Sequence, residues 1–143
     1  MNAAPYDDLR GGPRARGLEA ALECVVGCAA LGGGLTLILA PRGSAMAPLS
    51  VLSGSGFDTF LVPGLLLALV VGGLNLTAAV LTFLKNPLAS PASFVAGGAL
   101  VIFVVTELLL LRERSFLQWT FLALGVTIAA LSLPTPRLRD RGV

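Results

Sequence analysis

The sequence predicts an all-α fold: a four-helix transmembrane bundle running antiparallel up and down, with both termini in the cytoplasm. Two observations carry the fold. First, 55% of the residues are hydrophobic and only 13% are charged, against roughly 45–50% and about 25% in a soluble domain. Charge this sparse cannot coat a globule, so lipid is the expected solvent. Second, four apolar runs each approach the ~20 residues that cross ~30 Å of hydrocarbon as a helix. Helix is the expected state of each run, because lipid leaves no partner for an open backbone donor or acceptor.

The runs cover about 20–40, 60–84, 92–111 and 116–133, between an N-terminal tail (1–19) and a C-terminal tail (134–143). Proline supplies the punctuation. Pro41, Pro87, Pro91, Pro134 and Pro136 fall between or after the runs, where a helix is expected to stop. Pro63 opens the second run, where its missing N–H costs little. The "RERS" linker (112–115) is short enough to force a tight hairpin between the third and fourth helices. The "KNPLASP" linker (85–91) is also short, and only 41–59 is long and Gly/Ser-rich. "AMA" at 45–47 has the form of a leader cleavage site. The long apolar stretch before it, Asp7 and Asp8 upstream, and Pro48 just after it favour an uncleaved first helix.

Orientation follows the basic residues that flank the spans. Arg10, Arg14, Arg16, Lys85, Arg137, Arg139 and Arg141 fall on one side; Arg42, Arg112 and Arg114 fall on the other. The richer side is expected to be cytoplasmic, in a bacterial cytoplasmic membrane.

Each run carries a stripe of small or polar residues at spacings of three and four, which share one helix face. The stripes are Glu23, Gly27, Ala30, Gly34; then Gly64, Ala68, Gly72, Asn75, Ala79, Thr82; then Ser93, Ala96, Leu100, Phe103, Glu107; and finally Gln118, Leu122, Gly125, Ala129, Ser132. In lipid, burying leucine gains little, whereas small residues let backbones approach and polar groups bond across the gap. All four stripes are therefore expected to face inward.

The same stripes hold the candidate site. Glu107 is an ionisable residue inside a span, a functional candidate by default. It lies five residues before Arg112, about 7–8 Å below the end of the span. Gln118 is expected at similar depth across the hairpin, with Asp58 at the outer end of the second helix and Arg112 above. Two readings of Glu107 stand: a proton-linked or cation-binding carboxylate in a pocket, or a structural carboxylate bonded to Gln118. Asn75, near mid-span, is expected to bond between helices, with a ligand contact as the alternative. Trp119 reads as an interfacial anchor or a pocket wall.

Other chemistry is poorly supplied. The formal charge of +2 does not suggest nucleic acid as a partner, and there is no histidine. Cys24 and Cys28 share a helix face, but no further soft ligand completes a tetrahedral site. No metal, cofactor or catalytic set is expected. The expected partners are the lipid bilayer and other membrane chains, including a second copy. The leading expectation is a non-enzymatic structural or accessory membrane protein; the alternative is a small-molecule, lipid or proton-linked binding or transport protein around Glu107.

Residues 56–133 resemble a group of small, uncharacterised bacterial four-span proteins. The resemblance rests on Pro63-Gly64, on Gly72-Gly73 followed by Asn75, on Glu107, and on Leu117-Gln118-Trp119. Size and span count are loosely similar to DoxX-like membrane proteins. The resemblance implies the fold and the membrane location and adds no activity.

Overall fold

The computed structural model describes residues 13–44, 47–111 and 115–133. Four helices build it: α1 (Pro13–Leu39), α2 (Leu61–Phe83), α3 (Ala89–Leu110) and α4 (Phe116–Ser132). Among the described residues there is no strand. The helices alternate in direction, and α2 packs against α1 and α3, α3 against α4, and α4 more thinly against α1. This closes a square, antiparallel bundle. One end holds the start of α1 and the end of α4, and is called the terminal end below. The other holds the end of α3 and is called the Glu107 end.

Three of the helices, α1, α2 and α3, are long and apolar enough to cross a membrane. The fourth has 17 residues, about 25 Å at ~1.5 Å per residue. It is apolar but falls short of the length that marks the other three. Large apolar side chains line the outside of all four, among them Val25, Leu69, Ile102, Leu109 and Phe116. That surface suits lipid and not water.

The inward stripes are present. Glu23, Gly27, Ala30 and Gly34 are buried on α1, and Gly64, Ala68, Gly72, Asn75, Ala79 and Thr82 on α2. A core of Val26, Ala30, Val71, Leu100, Val104 and Ile128 runs along the axis. Glycine is needed where backbones cross. A Cβ on Gly34 would lie 2.6 Å from the Gly64 carbonyl oxygen, and one on Gly97 would lie 2.7 Å from the Ala129 nitrogen.

Helix ends explain the turns. α1 begins at Pro13, earlier than the apolar run, and so carries Glu19 into the bundle. α3 begins at Ala89 and takes Pro91 into its first turn, where the first four N–H groups have no helical partner. The turn from α2 to α3 is a Schellman closure: the Lys85 N–H bonds the Thr82 carbonyl at 3.2 Å and the Asn86 N–H bonds Leu81 at 2.9 Å. Lys85 holds the left-handed position at φ 52° that glycine normally takes.

The long connection folds back over the Glu107 end. A 3-10 turn at Leu49–Leu52 buries Leu52, Phe60 is buried beside it, and the Phe60 N–H closes the loop on the Pro41 carbonyl at 2.8 Å. Within α2, residues Leu66–Gly72 widen into a π-helical turn. Ala45 and Met46 of the "AMA" motif lie outside the described residues.

Candidate functional site

Glu107 sits one turn from the end of α3 and lines two hollows. The first, about 430 Å³, lies between α2, α3 and the 41–60 connection; Phe60, Val70, Phe103 and Thr106 form much of its wall. The second, about 340 Å³ and open to the outside past Ala29 and Leu117, lies where α1, α2 and α3 face the start of α4; Ala30, Leu67, Leu100 and Phe121 line its inner part. Val71, Phe103 and Glu107 belong to both walls. The π turn contributes Leu66, Val70 and Val71 to the first hollow, and Leu67 with Val71 to the second. π turns are frequent at functional sites because they displace side chains from helical register.

The polar groups of the first hollow have fixed hydrogen-bond roles. The Thr106 hydroxyl donates to the Ile102 carbonyl at 2.8 Å, and the Ser55 hydroxyl donates to Leu52 at 2.8 Å. Ser55 Oγ also accepts the Phe57 N–H at 3.3 Å. Both hydroxyl protons are therefore spent on backbone. Among the described residues no side-chain hydrogen bond reaches Glu107.

The polar layer expected here takes a different form. Gln118 lines the second hollow together with Glu107, but its carbonyl caps its own helix. Gln118 Oε1 accepts the Ser115 N–H at 3.1 Å, while the Ser115 side chain accepts the Gln118 N–H. This reciprocal capping box satisfies two backbone donors that the first turn of α4 leaves open. Asp58 is exposed on the connection next to Phe57. Trp119 is half exposed on the outer side of α4. Arg112 lies outside the described residues.

Asn75 is fully buried, but its amide bonds the Val71 carbonyl of its own helix at 2.8 Å. Among the described residues no interhelical bond from it is present, and its Oδ1 has no partner. A π turn lies directly before it, and the Asn75 amide serves one of that turn's carbonyls. Cys24 and Cys28 are exposed on the outer face of α1. Among the described residues no cluster of His, Cys, Asp or Glu could hold a metal ion.

A second polar region lies at the terminal end. Glu19, Glu23, Thr82, Ser93 and Ser132 are all buried there. The Thr82 hydroxyl donates to Glu23 Oε2 over a long 3.4 Å, and the Ser90 hydroxyl donates to the Ser132 carbonyl at 2.6 Å. The sequence carried a signal for Glu19: it precedes Glu23 by four residues and extends the inward stripe of α1 by one turn. No protein-family model, curated protein or solved structure matches this chain.

Proposed function

We propose that the chain is a non-enzymatic, multi-pass protein of the bacterial cytoplasmic membrane that binds a small molecule with an apolar body beside Glu107. In this reading α4 also crosses the bilayer, and both termini are cytoplasmic. One observation carries the binding role: two hollows on either side of α3 converge on a single intramembrane carboxylate. Elsewhere in the bundle the seams are tight enough that a glycine Cβ would collide with a neighbouring backbone. A protein built for packing alone would close the Glu107 end as well. A volume of 300–1,000 Å³ with mostly apolar walls and few polar groups is the usual form of a small-molecule site, and the first hollow falls in that range.

The test uses an alkyl diazirine in nanodiscs, followed by mass-spectrometric mapping of the crosslinks. Val71 is fully buried and Phe103 partly so, so bulk lipid reaches neither freely. Crosslinks on Val71 and Phe103, reduced in Ala99→Phe, are the expected result, since Ala99 lines the first hollow. Crosslinks confined to outward residues such as Leu109 would refute a binding cavity.

A further inference from the structure

We infer that the molecule taken up beside Glu107 is an amphiphile with a protonated primary or secondary amine as its head. This rests on the binding role proposed above and narrows its ligand class. Among the described residues, the polar side chains that line the first hollow are Ser55, Thr106 and Glu107. The hydroxyl protons of Ser55 and Thr106 are already donated to the Leu52 and Ile102 carbonyls. These two oxygens can therefore present only lone pairs to a ligand. An ionised carboxylate is acceptor-only as well. Near the rim, exposed Asp58 follows Phe57, which itself lines the hollow, and adds another negative group.

The complement of such a wall is a donor that also carries positive charge. An ammonium head supplies both. It would place N–H groups on Glu107 while its apolar body lies along Phe60, Val70 and Phe103. A hydroxyl head supplies one proton and no charge. A carboxylate head brings like charge against Glu107 and no donor. A trimethylammonium head brings the charge but no N–H. The order that follows is ammonium first, trimethylammonium and hydroxyl lower, carboxylate last. A hydroxyl donating to ionised Glu107 is charge-assisted as well; the ammonium adds the attraction of opposite charges, strongest away from water, which favours it over hydroxyl by about tenfold or more.

The experiment keeps one alkyl diazirine chain and varies the head: primary ammonium, trimethylammonium, hydroxyl and carboxylate. Labelling of Val71 and Phe103 is quantified in nanodiscs of zwitterionic lipid, so that head charge does not alter partitioning through lipid charge. Ammonium labelling about tenfold above hydroxyl, competed by unlabelled dodecylamine and not by dodecanol, supports the assignment. That comparison uses the unaltered chain alone and does not depend on a variant folding. Glu107→Gln should reduce the ammonium preference to about that of the hydroxyl probe. Equal labelling by all four heads would overturn the amine assignment and leave the binding role standing. Absence of cavity labelling by every head would overturn both.

Discussion

Gly97 and Gly98 are neighbours in α3 with opposite surroundings, and alanine at each should move stability in opposite directions. A Cβ on Gly97 would lie 2.7 Å from the Ala129 nitrogen, 2.8 Å from the Gly125 carbonyl oxygen and 3.1 Å from the Ala129 Cβ. Ordinary carbon contacts sit at about 3.5–4.0 Å. Two of the three atoms are backbone, so no rotamer change relieves the clash. α3 and α4 must part by several tenths of an ångström along their main contact. Overpacking of this kind costs about 1–3 kcal/mol. Alanine returns about 0.5–1 kcal/mol by its better helix propensity. Gly97→Ala should therefore destabilise by a net ~0.5–2 kcal/mol. A Cβ on Gly98 would meet nothing within 4 Å, so Gly98→Ala should keep the propensity gain and stabilise by about 0.5–1 kcal/mol. The assay is reversible unfolding of each variant in mixed micelles, followed by helical circular dichroism. Equal shifts in the two variants, or a larger loss at Gly98, would refute the crossing. Gly72 and Gly73 offer a milder version in α2: a Gly72 Cβ would press on the Leu31 side chain at 3.0 Å, while a Gly73 Cβ would meet nothing within 4 Å.

Three further outcomes are expected. Lys85→Gly should raise the unfolding midpoint by the equivalent of about 1 kcal/mol, because Lys85 occupies a left-handed position at φ 52° that costs an L-residue roughly 1–2 kcal/mol; an unchanged midpoint would argue against that turn. Gln118→Leu should cost about 1 kcal/mol through the lost α4 cap. Its effect should add to that of Glu107→Gln within about 0.5 kcal/mol, and a larger coupling in the double-mutant cycle would restore a direct Glu107–Gln118 bond. Replacing both Cys24 and Cys28 by Ser should leave stability within about 0.5 kcal/mol, since both are exposed on the outer face of α1; a larger loss would place them in a contact.

The stripes were legible because helical geometry turns spacings of three and four into one face, and lipid turns a small-residue face into a packing face. That logic places Gly64, Gly72 and Glu107 on inward faces from spacing alone. Gln118 shows a signal that was present but competed with another: Ser115 followed by Gln118 three residues later is also a capping-box pattern, and the cap takes its carbonyl oxygen. Asn75 depends on the π turn at Leu66–Gly72, for which hydrophobic periodicity offers no marker. The 41–60 connection owes its path to closure of Phe60 on Pro41 and burial of Leu52. These are contacts between residues far apart in sequence, which local composition does not specify. Glu19 lay outside the apolar run yet inside the helix, because charge ends a hydropathy stretch without ending the backbone hydrogen bonding of α1.

The most direct test of the cavity at Glu107 is the position of a heavy atom inside it. Crystals grown from a lipidic phase with a bromoalkylamine give an anomalous map that places the bromine. The predicted peak lies within the first hollow, among Phe60, Val70 and Phe103, with the amine directed to Glu107. A peak on the outer surface beside Leu109 or Phe116, with side chains filling the space next to Glu107, would contradict the account.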